Sequence, residues 1–236
     1  MIACRIARYV GALAVTSAAM LSIATVPSAS AQPCPDVEVV FARGTAEPPG
    51  VGGVGQAFVD ALRAQAGGKS VDVYPVNYAA SSNFGDRIEF ARTVVDGIRD
   101  AGAHVESTAA NCPNTKIVLG GYSQGAVVAG YVTSAVIPDG IPAEFRPFIP
   151  DPMPPEVANH VAAVTLFGKP SQQWLGDAGA PPVVIGPLYT AKTLDLCIPD
   201  DTICNGAPVG GPSFGHAMYA VNGMTNEAAT FAVNRV

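Results

Sequence analysis

Residues 116–125 read Lys116-Ile117-Val118-Leu119-Gly120-Gly121-Tyr122-Ser123-Gln124-Gly125. The run Lys116–Gly120 predicts a buried strand, and the small, apolar residues of Gln124–Val136 predict a buried helix. Between them lies the pattern Gly-x-Ser-x-Gly, which places a serine on a sharp strand-to-helix turn with its hydroxyl exposed. The pattern alone is weak evidence, but the strand before it and the helix after it supply the expected context. Ser123 is therefore predicted to be a nucleophile.

The rest of the chain alternates short apolar runs with helical patterns. Further strands are predicted at Val37–Phe41, Val71–Val76, Val161–Phe167 and Thr193–Leu196. Their nearly continuous apolar character is typical of parallel strands that helices cover on both faces. Strands that alternate with helices predict an α/β fold with a parallel sheet and right-handed crossovers.

Three more helices are predicted at Gly55–Ala66, Asp86–Ala110 and about Asn226–Asn234. The second of them shows a clear helical period, because apolar residues recur every three or four positions. These residues are Ile88, Ala91, Val95 and Ile98.

The first 31 residues have the organisation of an export signal. Arg5 and Arg8 give a positive start, Val10–Ala24 is an apolar run, and small residues follow as a cleavage site. The alternative is a transmembrane anchor, but the run falls short of the about 20 strongly apolar residues that crossing a bilayer takes. We therefore expect a cleaved signal peptide over residues 1–31, one domain over residues 32–236, and a secreted protein.

The composition excludes several classes of protein. An apolar fraction of 49% with 14% charged residues is unlike a disordered chain. The net charge is −6 and becomes more negative when the two arginines of the signal are removed. Such an acidic surface offers no electrostatic footprint for nucleic acid. No later stretch has about 18 consecutive apolar residues, so we expect no integral membrane segment in the mature chain.

Cysteine usage also indicates an extracytoplasmic setting. Cys4 leaves with the signal, and Cys34, Cys112, Cys197 and Cys204 remain. Four cysteines allow three pairings. The last two are close in sequence and could close a tight loop, which would leave the first two to pair. A zinc site is not expected, because no Cys-x-x-Cys occurs and the three histidines are scattered.

A serine nucleophile needs a histidine base, and the chain offers His104, His160 and His216. The first lies in the long helix before the serine, and the second lies at the start of a strand. The order of the triad in α/β-hydrolases is serine, acid, histidine. Only His216 fits that order, and it lies in a glycine-containing loop before the last helix.

The acid should follow a strand between the serine and the histidine. The strand Thr193–Leu196 leads into the loop Cys197–Cys204, which holds both Asp200 and Asp201. A disulfide across this loop would hold a carboxylate rigidly, as the group that orients the imidazole requires. Position alone leaves both aspartates open.

An oxyanion hole needs two donors aimed at the developing negative charge. One is the backbone N–H of Gln124, which follows the nucleophile. The other should come from a loop after an early strand, and the loop Phe41–Thr45 is in that place. Thr45 is therefore the second candidate donor, and Gly44 allows close approach.

A proline-rich segment, residues 138–155, interrupts the regular alternation. Seven prolines fall within it, together with Phe145, Phe148, Ile149 and Met153. Apolar side chains on a loop need something to cover or bind. Two interpretations stay open, a stiff surface excursion and an apolar flap beside the active site. The single tryptophan, Trp174, is expected to pack in the core.

Together these residues resemble the cutinase family, and within it the secreted mycobacterial cutinase-like branch. The residues that carry the resemblance are Phe41-Ala42-Arg43-Gly44-Thr45, Gly121-Tyr122-Ser123-Gln124-Gly125, Cys197-x3-Asp201-x2-Cys204 and His216. They span nearly the whole mature chain. One departure is Thr45, where fungal cutinases carry serine. Asn83 is the candidate for the asparagine that supports the oxyanion residue in the family.

The resemblance implies a compact, three-layer α/β-hydrolase fold with a five-stranded parallel sheet and no large lid. It implies that Asp201 is the acid and that the disulfides are Cys34–Cys112 and Cys197–Cys204. Members of the family hydrolyse carboxylic esters of short to medium acyl chains, so an ester or lipid substrate is expected.

The expected chemistry is a two-step acyl transfer. His216 takes the proton of Ser123, Asp201 orients the imidazole, and no cofactor or metal is needed. The alternatives are an acyltransferase, a phospholipase or a lipase with the same triad, and a non-catalytic binding module. We expect a monomer.

Overall fold

The computed structural model of the protein describes residues 33–236. Its strands are β1 (Val37–Ala42), β2 (Val71–Pro75), β3 (Lys116–Tyr122), β4 (Val161–Phe167) and β5 (Thr193–Leu196). Its α-helices are α1 (Gly52–Gln65), α2 (Arg87–Asn111), α3 (Gln124–Val132), α4 (Gln172–Asp177), α5 (Pro187–Thr190) and α6 (Met224–Val233). Short 3-10 turns lie at Arg146–Phe148, Pro155–Asn159 and Phe214–Ala217. The predicted signal peptide, residues 1–31, lies outside the described residues and stays a prediction.

The five strands form one parallel sheet in the order β2-β1-β3-β4-β5. The predicted α/β class and the five-stranded parallel sheet are therefore confirmed. β4 and β5 have the predicted bounds, and β3 continues two residues beyond the predicted Gly120. That extension carries the strand up to the residue before Ser123.

The sheet separates two cores, because successive side chains of a strand point to opposite faces. On β1, Val39 and Phe41 lie in the core formed with α1 and α6. Val40 and Ala42 of the same strand lie in the core formed with α2 and α3. The molecule thus has the three layers that the resemblance implied.

The long helix α2 forms as predicted, but it buries a face of small residues. Its buried residues are Thr93, Gly97, Ala101, Val105 and Ala109. A Cβ on Gly97 would lie 3.1 Å from both Tyr78 and Val128, so glycine lets α2 approach α3 closely. In the apolar stripe that identified the helix, Ile88 is 51% exposed. The period is helical, but most of the stripe faces away from the core.

Helix α3 ends at Val132, four residues before the predicted end at Val136. The reason is that the loop before α5 captures the backbone and side chains that follow. The amide of Gly186 donates to the carbonyl of Thr133 at 3.0 Å, and the hydroxyl of Ser134 donates to the carbonyl of Val184 at 2.7 Å. These bonds turn the chain out of the helix.

Two disulfides join Cys34 to Cys112 and Cys197 to Cys204. This is the pairing that the resemblance implied. The first ties the start of β1 to the end of α2 across a sequence separation of 78. In the chain-entropy model a loop of that length contributes about 4–5 kcal/mol to stability.

Within residues 33–236, no helix combines the length and apolar character that crossing a bilayer would take.

A polar cluster fastens α2 to the sheet. Nε2 of His104 lies 2.9 Å from Oε1 of Glu38 on β1, and the hydroxyl of Thr108 donates to Oε2 at 2.6 Å. The ring of His104 also stacks on Tyr74 of β2. Burial alone would raise the pKa of Glu38, but the bonds from His104 and Thr108 outweigh it and hold that pKa below its ordinary value.

Replacing Glu38 with glutamine should make the free energy of unfolding less dependent on pH in the acid range. The carboxylate stabilises the fold fully above the unfolded pKa of about 4.3, and this is lost as the pH falls through the lower folded pKa. Glu38→Gln should cost about 1–3 kcal/mol near neutral pH and less near pH 3. Urea unfolding at both pH values measures this, with exposed Glu144→Gln as the control. An equal loss of stability at both pH values would contradict the role of the ionised Glu38 carboxylate.

Candidate active site

The turn between β3 and α3 holds Ser123 in an unusual backbone conformation. Its φ of 54° and ψ of −116° are rare for a residue with a side chain. Such strain persists only where the surrounding structure enforces it. Here the amide of Ser123 donates to the carbonyl of Phe167 on β4 at 2.9 Å. The turn is therefore anchored to the neighbouring strand.

Glycine is required on both sides of the turn. A Cβ on Gly121 would lie 2.1 Å from the carbonyl oxygen of Gly125, and a Cβ on Gly125 would lie 1.9 Å from the carbonyl oxygen of Ala42. Both contacts are with backbone, which cannot move aside. The two glycines therefore let α3 start directly over the ends of β1 and β3.

The structure brings the three predicted triad residues together. Nε2 of His216 lies 2.9 Å from Oγ of Ser123, and Nδ1 of His216 lies 2.8 Å from Oδ2 of Asp201. Ser123 follows β3, whereas Asp201 and His216 both lie in the connection between β5 and α6. The histidine is buried, and the aspartate is fully buried.

The structure places Asp201, and not its exposed neighbour Asp200, against the histidine. The hydroxyl of Tyr219 donates to Oδ2 of Asp201 at 2.7 Å, and the amide of Ile203 donates to Oδ1 at 2.9 Å. Burial would raise the pKa of Asp201, but hydrogen bonds from His216, Tyr219 and Ile203 outweigh it and hold that pKa below its usual value. The carboxylate thus stays ionised beside the imidazole.

Two tyrosines that the sequence analysis missed hold the histidine loop. The hydroxyl of Tyr122 donates to the carbonyl of His216 at 2.6 Å, and its ring lies 5.1 Å from the imidazole. Tyr219 also accepts a hydrogen bond from the amide of Ile198 at 3.1 Å. Burial raises the pKa of both tyrosines, so both remain neutral donors. In the sequence, the only signals for these roles were that Tyr122 directly precedes Ser123 and that Tyr219 follows His216 by three residues.

The predicted oxyanion donors lie at the same cavity as the triad. Thr45, Ser123, Gln124 and His216 all line it. Within residues 33–236, the backbone amides of Thr45 and Gln124 donate no hydrogen bond to another residue. An oxyanion hole requires backbone amides that have no other partner, and these two amides meet that requirement.

Glu47, which the sequence analysis also missed, fixes the loop that carries Thr45. Its carboxylate accepts from the amide of Gly44 at 2.6 Å and from the amide of Gly53 at 2.7 Å. Arg43 closes the loop by donating from Nε to the carbonyl of Glu47 at 2.8 Å. Asn83, in contrast, donates to Glu89 at 2.5 Å and has no hydrogen bond to Thr45.

The triad opens into a cavity of about 1890 Å³. Its walls include α2, much of the proline-rich segment 138–155, and the loop before His216. The proline-rich segment therefore lies beside the site, as the flap interpretation required. Trp174 packs against a small buried cluster that includes Val127, as expected for a core residue. It also lines the cavity, which the sequence analysis did not predict. Within residues 33–236, no three His, Cys, Asp or Glu side chains cluster as metal ligands would.

Comparison with known proteins gives the family of the chain. A family model described as Cutinase matches residues 33–236. The chain belongs to the cutinase family. Members of this family are serine hydrolases, and the chain is accordingly an enzyme of that class.

Two relatives of this cutinase-family chain are mycobacterial proteins. It is 58% identical over 172 residues to the probable carboxylesterase Culp7 of Mycobacterium tuberculosis, covering 73% of this chain and 88% of the relative. It is 48% identical over 233 residues to the carboxylesterase Culp1 of Mycobacterium bovis, covering 97% and 95%. A structure of Trichoderma reesei cutinase with a phosphonate inhibitor has a TM-score of 0.62 at 30% identity, covering 86% of this chain and 77% of that one.

Removing the hydroxyl of Tyr219 should weaken the support of Asp201. Tyr219→Phe should lower kcat by about 10- to 100-fold, the cost of one hydrogen bond to a charged group, with little change in KM. It should also raise the pKa of Asp201 and so strengthen its hold on the Nδ1 proton of His216, which moves the acid limb of the rate profile to higher pH. Tyr74→Phe is a matched control, because that tyrosine donates to Asp100 away from the site. Equal rates and pH profiles for both variants would contradict this role.

Proposed function

We propose that the protein is a secreted serine carboxylesterase that hydrolyses acyl esters through an acyl-enzyme intermediate. The observation that carries this proposal is the pair of contacts of His216, at 2.9 Å to Ser123 and 2.8 Å to Asp201. The carboxylesterase names of the mycobacterial relatives support the choice of substrate class. The short to medium acyl chains that the family resemblance implies are part of the proposal.

The first half of the reaction would acylate the serine. Nε2 of His216 accepts the proton of Ser123 while Oγ attacks the ester carbonyl. The negative charge that forms on the carbonyl oxygen is stabilised by the amides of Thr45 and Gln124. The tetrahedral intermediate then re-forms the carbonyl, the carbon–oxygen bond to the alcohol breaks, and the imidazolium donates its proton to the departing alcohol oxygen.

The second half would release the acid. His216 accepts a proton from water, and the resulting hydroxide attacks the acyl carbonyl of Ser123. Collapse of the second tetrahedral intermediate breaks the bond to Oγ, and the imidazolium returns its proton to that oxygen. The ionised Asp201 holds Nδ1–H throughout and stabilises the imidazolium.

Two further proposals concern the protein outside its site. The export-like residues 1–31 and the two disulfides together support secretion, because disulfides persist in oxidising compartments. We also propose that the enzyme acts as a monomer.

Ser123→Ala should abolish the hydrolysis of p-nitrophenyl butyrate. The expected loss in kcat is more than about a thousandfold, because the nucleophile is removed while the fold is kept. Ser107→Ala, on the exposed face of α2, is the control and should retain the wild-type rate. Ester hydrolysis at the wild-type rate by Ser123→Ala would overturn the proposal.

The same assay separates hydrolysis from acyl transfer. With an added primary alcohol, a hydrolase releases mainly the free acid, which chromatography measures directly. Release of mainly the new ester would instead identify an acyltransferase that uses the same triad.

A further inference from the structure

The cavity at the triad extends far from the reacting atoms. Ser123 and His216 line it, and so does α2 as far as Glu106. The part of α2 that lines the cavity begins at Arg87. A helix of that length extends about 28 Å, which is far more than a short acyl group needs.

One wall is the apolar stripe of α2. Ile88, Ala91, Val95, Ile98 and Gly102 follow each other every three or four residues and all line the cavity. The core is formed by the small residues on another face of the helix. Ile98 also packs against the core. The rest of the stripe faces the cavity, and this explains why a helix with a clear apolar period leaves Ile88 half exposed.

The opposite wall is the proline-rich segment. Phe145, Phe148 and Ile149 line the cavity from this side, and Phe148 is 65% exposed. Prolines restrict the backbone of the segment. Arg99 of α2 fastens it further, because Nη2 donates to the carbonyl of Phe148 at 2.7 Å. The two walls are thus joined near the middle of α2.

The charge of the lining gives no preference for a charged ligand. Four acidic side chains and three arginines line the cavity, so its charges nearly balance. A polar chain laid between the apolar walls would lose hydration without gaining partners. A hydrocarbon chain loses nothing by this transfer and gains by burial.

The oxyanion side of the serine is linked to the segment that leads into α2. Residues 80–81, which lead towards α2, bond to that side: the amide of Ala46 donates to the carbonyl of Ala80 at 2.8 Å, and Nε2 of Gln124 donates to the carbonyl of Ser81 at 3.3 Å. His216, which would protonate the leaving alcohol, is held by the loop after β5. The stripe on α2 is thus connected to the site through residues that also bond to the oxyanion side of the serine.

We infer that the groove between α2 and the segment 138–155 binds the hydrocarbon tail of long-chain acyl esters, with the chain lying along the Ile88–Gly102 stripe. This inference rests on the proposed function of Ser123 and extends its substrate class beyond short and medium chains. Ala91 and Gly102 are about 16 Å apart along the helix axis. One leaflet of a bilayer has a hydrocarbon thickness of about 15 Å, so the stripe matches a membrane-length acyl tail.

The wild-type enzyme gives the first test. The value of kcat/KM should rise along p-nitrophenyl acetate, octanoate and palmitate, measured in micelles of constant composition. It should stay nearly flat along acetates of ethanol, octanol and hexadecanol, because the alcohol leaves on the other side. A rise along the alcohol series, or none along the acyl series, would overturn the inference.

Two tryptophan substitutions on the stripe measure how far along α2 the acyl chain extends. Gly102→Trp should lower the palmitate-to-acetate ratio of kcat/KM by at least about tenfold, and it should leave the octanoate-to-acetate ratio near that of the wild type. Ala91→Trp, closer to the serine, should lower both ratios. A Cβ on Gly102 meets no heavy atom within 4 Å, so the fold accommodates the change. Ala110→Trp, exposed on α2 outside the cavity, is the control and should match the wild type.

The outcomes keep the two proposals apart. Hydrolysis of acetate that depends on Ser123, together with unchanged ratios in both tryptophan variants, would overturn the groove alone. No hydrolysis of any ester that depends on Ser123 would overturn the proposed function, and the groove with it.

Discussion

The strained turn at Ser123 is the constraint on which the rest of the structure depends. The backbone there adopts a positive φ, and two glycines that cannot carry a Cβ let α3 pass within contact of the β1 and β3 backbones. The same close approach places the amide of Gln124 beside the serine and leaves it free to donate. The packing of α3 on the sheet and the exposure of the Ser123 hydroxyl therefore depend on the same backbone contacts.

The proposed chemistry then needs a histidine and a carboxylate that are held in fixed positions. A buried aspartate that accepts hydrogen bonds from an imidazole, a tyrosine hydroxyl and a backbone amide has little freedom to move. The disulfide Cys197–Cys204 closes the loop that carries it. On the other side of the serine, Glu47 fixes the loop of Thr45 by accepting from two amides. Rigid support of this kind lets charge be stabilised without reorganisation during the reaction.

Much of the fold could be predicted from the sequence, because five apolar runs and the motif at Ser123 are local signals. The choice of His216 as the candidate base could be made from the order of the triad along the chain. The choice of Asp201 required the family resemblance, because Asp200 is equally well placed in sequence. The buried face of α2 could not be predicted, because a helical period does not say whether the core or a cavity receives the apolar side. Glu47 and Tyr219 act through contacts between segments distant in sequence, which no local pattern records.

The most direct test of the central claim is a comparison of Gly125→Ala with Gly176→Ala, by urea unfolding and by the rate of p-nitrophenyl butyrate hydrolysis. A Cβ on Gly125 would meet backbone at 1.9 Å, whereas a Cβ on Gly176 meets nothing within 4 Å. We predict that Gly125→Ala loses at least about 3 kcal/mol of stability and most of its activity, while Gly176→Ala stays within about 1 kcal/mol of the wild type and keeps its rate. Wild-type stability and activity in Gly125→Ala would contradict the account.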